Sequence, residues 1–571
     1  MRLAHGKTAA LLLAALIAGG CAATGGDRVP VGAVPSELKD DNEVLGRTDP
    51  RVLYYVGAAE ISGRRDAQQA AAEYYAKAAA LSDDVKIAER AIQVAVFAKD
   101  EALTEQGIER WLALDPAGLE PNRLAAILRL KQGELELGWD HIVAILDRDS
   151  SPPAWEAVIK ILAGAEQRDV AAILFRRLSQ ERTPPANQAI VQQLSDLAVQ
   201  FGALALAEAY ATRSIEINPD NAESYLWRGR LRTSQNRLDE ALMDLEKAVS
   251  LDPDNMQSRQ TYAALLAEAG RHEEAIAQLD EIEPTPLVLY SQGVYANAAD
   301  LPEAADSYYR QLEVLAVEDE DEKHFLLGQL AETLEKPFEE TVAWYGKVRA
   351  GDRLNDAKLR SAMVLGTNDE MAQARVILRR LQNGNEQTAT RAFLAEAGLL
   401  RELERPEEAI DVYSDALTLL PENADLLFAR ALLAEDLDRL DVTEGDLRRV
   451  LELRPNDANA LNALGYTLAD RTDRYEEALG LIARAYEQLP NEAAIADSMG
   501  WVHFKLGNLE EALKYLRAAL ELEFDSEIVA HLGEVLWTMG REQEARETWD
   551  QGLERLPESE VILDTRRRLD P

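Results

Sequence analysis

Cysteine occurs once in 571 residues, histidine six times, and aromatic side chains make up only 6% of the chain. One cysteine rules out an intrachain disulfide and any Cys-x-x-Cys redox or zinc motif. The histidines, at 5, 141, 272, 324, 503 and 531, include no pair at metal-ligand spacing, which excludes a histidine-rich metal centre. So few aromatics fit a sandwich or barrel poorly. The GxSxG, GxxxxGK[ST], GxGxxG and HExxH patterns are missing, so no familiar nucleotide-binding, hydrolase or zinc-protease signature is present. Positive charge is scarce too: 61 Lys and Arg face 102 Asp and Glu, for a net −41. Nucleic acid and anionic lipid surfaces would repel such a chain. Its 102 carboxylates make chance pairs inevitable and remove their value as a sign of acid–base chemistry. The acidic run VEDEDEK at 317–323 lacks the spaced ligands and glycine of a calcium loop and reads as a solvated inter-helix loop. The expectation is a non-enzymatic protein with no catalytic residue, no metal and no cofactor.

What remains is rich in alanine, leucine and glutamate, the composition of amphipathic helices. The chain opens with MRLAHGKTAALLLAALIAGGC, two basic residues followed by an apolar run from Thr8 to Gly20. That run is too short to span a bilayer and reads as a secretory signal peptide over 1–20. Ala18, Gly19, Gly20 and Cys21 resemble a bacterial lipobox, with Ala18 where leucine is usual. By that resemblance Cys21 becomes the lipidated first mature residue, and Ala22 after it implies sorting to the outer membrane, facing the periplasm. The alternative is a plain signal peptide with an incidental cysteine. Residues 21–47 are rich in glycine, proline and charge and read as a flexible tether with a reach on the order of 30 Å.

From Thr48 the organising signal is a period. Prolines at 116, 152, 185, 219, 253 and 286, then at 421, 455, 490 and 557, close apolar helical runs, with neighbouring intervals of 33 to 36 residues and longer gaps at multiples of that length. About fifteen helix pairs fit the chain at this period. The second helix of a unit carries a small–large–small triplet: Ala241/Leu245/Ala248, Ala409/Tyr413/Ala416, Ala478/Ile482/Ala485, Ala512/Leu516/Ala519 and Ala545/Trp549/Gly552. Spacings of four and three put each triplet on one helical face, where small residues let two helix axes approach closely. A helix pair cannot cover such a face alone, so the units must stack.

These motifs resemble the tetratricopeptide family. In one unit the pattern is carried by Tyr225, Gly229, Ala241, Leu245, Ala248 and Pro253, with Arg228 in place of the usual leucine. In another it is carried by Leu461, Leu464, Gly465, Ala478, Ile482, Ala485 and Pro490. The resemblance implies an all-α fold, a right-handed superhelical solenoid of helix pairs whose first helices line a concave, partner-binding side. It divides the chain into degenerate helical repeats at 48–204, a strong block at 205–287, degenerate repeats at 288–389, a strong block at 390–557 and a closing helix at 558–571.

On each first helix, the positions three before and one after the glycine share the face opposite the packed stripe. In the last block this face offers Asn462 and Tyr466, Asp497 and Trp501, and His531 as a partner-binding groove. The competing assignment is that Tyr466 and Trp501 fill the crevice between successive pairs, as His503 and Phe504 are expected to do. Lipobox, tether, long array and the motifs NALGY, DSMGW and HLGEVLW together resemble the outer-membrane tetratricopeptide lipoproteins of proteobacteria. That resemblance implies an adaptor for envelope proteins, among them a carboxyl-terminal processing protease and its cell-wall hydrolase substrates, with no nucleic-acid partner. Assembly of outer-membrane proteins, pili or polysaccharide export machinery, or a subunit of an unrecognised enzyme, are the alternatives.

Overall fold

The computed structural model describes residues 49–570. The signal peptide, Cys21 and the tether lie outside the described residues. Those described form fifteen helical hairpins and one closing helix, Glu560–Leu569, without a strand. The fold is therefore an all-α solenoid, as the period predicts. Among the described residues no helix is long and apolar enough to cross a membrane.

Proline periodicity has a local cause. After most second helices of the strong blocks the chain turns through proline, and two residues later Asn or Asp caps the next first helix. Asn221 accepts from the Ser224 amide at 2.8 Å, Asn255 from Ser258 at 3.0 Å, Asn423 from Leu426 at 3.1 Å and Asp457 from Ala460 at 3.0 Å. Each cap satisfies a donor that the first turn leaves unpaired. Pro152 and Pro286 instead stand at the first position of helices Pro152–Ala163 and Pro286–Ala298, where a missing N–H costs nothing.

Packing follows the small–large–small triplets, all of whose members are buried. In four of them, Leu245, Ile482, Leu516 and Trp549, the large middle residue lies against a glycine of its own hairpin, Gly229, Gly465, Gly500 and Gly533. A Cβ on Gly500 would sit 2.5 Å from Leu516 Cγ, and one on Gly533 would overlap the Trp549 indole. Arg228, the departure from the family pattern, is explained by its partner: its guanidinium grips buried Asp244 at 2.8 and 2.7 Å, and Arg430 holds Asp446 in the same way at 2.7 and 2.8 Å. A fork of donors thus stands where leucine would fill space.

The described residues divide into two compact units, with the division between Ile282 and Glu283. In the first, the largest core runs from Ala126 to Leu231 around Trp139, Trp155 and Phe175. In the second, one continuous core extends from Ala362 to Val502, and a further cluster around Trp549 is closed by Ile562 of the final helix. That helix is also pinned by Arg568, which donates to both oxygens of Glu534 at 2.9 and 2.5 Å.

Positions 204/205, 287/288 and 389/390 fall within helices Leu204–Ile217, Pro286–Ala298 and Glu386–Glu402, while hairpin edges lie at caps and turns. One expectation needs correction. The acidic run at 317–323 is only partly loop, because Asp319 caps helix Glu320–Thr333 and Glu320, Asp321 and Glu322 form its first turn. Asp321 accepts from the Arg349 and Ala350 amides, so the run is tied to the next connection.

Candidate partner-binding site

Three first helices, Ala458–Arg471, Ala493–Lys505 and Ser526–Thr538, belong to the last three hairpins and carry all five expected groove residues. The side chains of Tyr466, Asp497, Trp501 and His531 form one connected cluster arranged in depth. At the back, Trp501 is 6% exposed and stacks on His531, with ring centroids 4.0 Å apart and planes at 20°. Its indole N–H donates to Asp470 at 3.1 Å, and Phe504 stacks beside it. His531 is 8% exposed, and its Nδ1 lies 3.0 Å from both oxygens of buried Asp497. Trp501, Asp497 and His531 therefore fill the crevice between successive hairpins, the place the alternative gave to Trp501. Their burial follows from hairpin stacking, which brings position 497 of one first helix opposite 531 of the next.

Tyr466 stands at the front. It is half-buried, its ring lies 6.3 Å from that of His531, and its hydroxyl is 3.4 Å from Glu527 Oε1. The contact skips an entire hairpin: Tyr466 lies on the first of the three helices and Glu527 on the third. Adjacent packed helices are about 8–10 Å apart, so this meeting requires the first helices to converge on their own side. Within this unit they line the inside of a bend. Asn462 is also half-buried, with its side-chain oxygen enclosed and without a hydrogen-bond partner.

Electrostatics agree with a hollow. Glu527 is open to solvent yet crowded by protein, and burial, followed by the Asp497 and Asp525 charges, raises its carboxyl above the usual range against the opposing pull of His531. Burial likewise raises Glu435, despite the Thr467 hydroxyl that donates to it at 2.8 Å. The Tyr466 hydroxyl is pushed well up by burial and then by Glu527, Asp470 and Asp497. For His531, burial alone would lower the pKa, but the Asp497 charge and hydrogen bond outweigh it and raise the value. The result is an aromatic rim backed by a buried histidine–carboxylate pair and faced by carboxylates.

Glu527 and Glu435 were not anticipated from the sequence, because nothing distinguishes two glutamates among so many until the bend brings them to Tyr466. His503 is half-buried and stacks on Tyr515 of its own hairpin with planes at 3°, and Phe504 lies on Trp501 of its own helix. Among the described residues, no three His, Cys, Asp or Glu side chains come together as a metal-ligand set.

Comparison with known proteins adds the family. Tetratricopeptide repeat models match residues 193–256, 232–285, 444–493 and 493–526. A TPR repeat-containing protein of Pseudomonas aeruginosa, PA4667, is 33% identical over 545 residues, covering 92% of this chain and 90% of its own. Among solved structures, the type IV pilus biogenesis factor PilW is similar at 17% identity and a TM-score of 0.32, over 38% of this chain and 99% of its own. MamA from Desulfovibrio magneticus RS-1 is similar at 17% identity and a TM-score of 0.26, over 32% of this chain and 97% of its own.

Proposed function

This chain belongs to the tetratricopeptide repeat-containing proteins, and from that premise we propose that it is a non-enzymatic scaffold held at the outer membrane through Cys21 and binding other envelope proteins in the periplasm. The observation that carries the reading is the division of labour within each hairpin. Second helices bury their triplets completely, while the last first helices leave Tyr466 and Glu527 at the surface of a hollow. Tyrosine offers a large contact area with little conformational entropy to lose, which suits a recognition position. Asn462 beside it has an unspent acceptor, and Trp501, Asp497 and His531 hold the wall behind. The lipobox-like segment and the tether supply the anchor and the reach.

The finer reading rests on resemblance to the adaptor lipoprotein LbcA. On that reading the partners are a carboxyl-terminal processing protease and the peptidoglycan hydrolases it degrades. The test is purification of the tagged full-length protein from detergent-solubilised envelopes, followed by mass spectrometry. Recovery of a periplasmic protease together with a cell-wall hydrolase supports the finer reading. Recovery of other envelope proteins supports the scaffold alone, and recovery of none overturns both.

A further inference from the structure

The two ends of the described array are finished differently. The closing helix, Glu560–Leu569, buries Ile562 and turns Glu560, Asp564 and Arg567 to solvent, which is the polar outer face a terminal repeat needs. The first helix, Pro50–Arg64, lacks one. Its Val56 and Ala59 pack on Tyr75 and Ala79 of the second helix of the hairpin, yet Leu53, Tyr54 and Ile61 stand 59%, 65% and 54% exposed. At 3.6 residues per turn these three lie within about 100° of arc, with Gly57 among them. A Cβ on Gly57 would meet nothing within 4 Å, so the apolar stripe is open along its middle.

The uncompensated charge beside the stripe is positive. Arg64 ends the helix and Arg65 follows it, both exposed and neither meeting a carboxylate among the described residues. Arg51 is taken by the cap Asp49 at 2.6 Å. Glu60, at the edge of the stripe, accepts from the Tyr75 hydroxyl and lies 3.7 Å from Arg90. Size and place then decide what covers the stripe. A helix of 15 residues is about 22 Å long and about 10 Å wide, so its outer face offers roughly 200 Å², far below the roughly 800 Å² per partner of a standard protein interface. A second copy or a folded protein would be held poorly by it. A surface already kept within reach needs no such area, because a tether turns docking into an intramolecular step. Residues 21–47 lead almost directly into the cap Asp49, so an anchor at Cys21 leaves this helix nearest the lipid. Tyrosine and aliphatic side chains beside free arginines suit the boundary between headgroups and acyl chains. The net charge of −41 does not oppose this, since charges more than a Debye length of about 8 Å away are largely screened.

We propose that the outer face of helix Pro50–Arg64 docks on the surface of a bilayer containing anionic lipid, with Leu53, Tyr54 and Ile61 at the headgroup–acyl boundary and Arg64 and Arg65 on the lipid phosphates. The inference rests on the reading that Cys21 anchors the chain, and it adds an orientation to that anchor. The first hairpin lies against the membrane instead of hanging free on the tether.

The test uses the chain from residue 21 with Cys21→Ser and a hexahistidine tag ahead of the tether, held on vesicles that carry a nickel-chelating lipid. The vesicles are of phosphatidylcholine alone or with one part phosphatidylglycerol to three of phosphatidylcholine. Removing the single cysteine lets Gly57→Cys carry an NBD fluorophore on the stripe, and Gly480→Cys, where a Cβ also meets nothing within 4 Å, carries it on helix Tyr475–Gln488 as a control. On phosphatidylglycerol vesicles the probe at 57 shifts to shorter wavelength and is quenched by brominated acyl chains, whereas the probe at 480 does neither. Leu53→Glu with Ile61→Glu, both at exposed positions, abolishes the shift. Arg64→Gln and Arg65→Gln each lower the ratio of docked to undocked helix about fivefold. No shift on anionic vesicles, equal docking on phosphatidylcholine alone, or a shift that survives the double glutamate variant overturns the proposal. So does a shift without vesicles that grows with protein concentration, which assigns the stripe to a second copy. The tag stands in for the lipid of Cys21, so none of these outcomes depends on acylation; the anchor reading stands or falls separately, on an acyl mass on the Cys21 peptide of protein taken from cells.

Discussion

Trp501 and His531, on first helices of successive hairpins, stack with ring centroids 4.0 Å apart. The pair belongs to the seam that joins two repeats, and it sets the depth of the hollow that Tyr466 closes. Trp501→Ala therefore removes a buried side chain from a nearest-neighbour interface and is expected to cost about 3–5 kcal/mol. Thermal unfolding followed by circular dichroism will show an early transition confined to the C-terminal hairpins. Tyr466→Ala, at a half-buried position, leaves that transition close to the parent.

His531 also predicts a pH dependence. Its folded-state pKa is raised above the ordinary 6.5, so the folded chain holds the proton more tightly than the unfolded one. The pair's contribution is complete below the unfolded value and is lost as pH rises through the folded one. Asp497, Glu527 and Glu534 supply the charges that hold the proton. The melting-temperature difference between the parent and His531→Asn is expected to be largest below pH 6.5 and to shrink as pH rises above it. A difference that grows on the alkaline side contradicts the assignment.

Two glycines on helices of the same unit should respond oppositely to alanine. At Gly533 a methyl group meets the indole of Trp549, and overpacking of this kind costs about 1–3 kcal/mol. At Gly480, inside helix Tyr475–Gln488, a Cβ meets nothing within 4 Å. Gly480→Ala should therefore stabilise by about 0.5–1 kcal/mol through helix propensity alone. Chemical denaturation of the two variants measures both signs.

Hairpin edges, not motif edges, should govern which fragments fold. A fragment from Asn385 to the C-terminus keeps the cap that accepts from the Thr388 amide, together with all five remaining hairpins and the closing helix. It is expected to be helical, monodisperse and cooperative in unfolding. A fragment starting at residue 390 lacks that cap and the first turn of helix Glu386–Glu402 and should fray at that end, visible as rapid amide exchange through the first hairpin.

The architecture was legible because repetition makes it so. Ala478, Ile482 and Ala485 recur at a fixed interval with the same spacing as Ala512, Leu516 and Ala519, and both sets are buried as their period demands. Degenerate stretches such as 288–389 also fold into hairpins, since they carry an apolar core of their own around Tyr309, Leu327, Leu330 and Trp344 even where the motif is weak. The site was legible only in part. Helical phase placed Tyr466, Trp501 and His531 on one side of their helices, but phase cannot tell the crevice from the open face, because both lie within one helical turn. Glu527 was out of reach for a different reason: its contact with Tyr466 depends on the curvature of the array across a whole hairpin.

The central claim, that the chain is a scaffold whose last first helices recognise a partner, is tested most directly by quantitative capture. Wild-type protein and the Tyr466→Ala, Glu527→Gln double variant are used as bait in solubilised envelope at a temperature where both remain folded, and recovered proteins are measured by mass spectrometry. The account predicts that the double variant melts like the parent yet recovers at least one partner about tenfold or more less efficiently, since an aromatic anchor contributes about 2 kcal/mol or more. Recovery of every wild-type partner in undiminished amount by a fully folded double variant would contradict it.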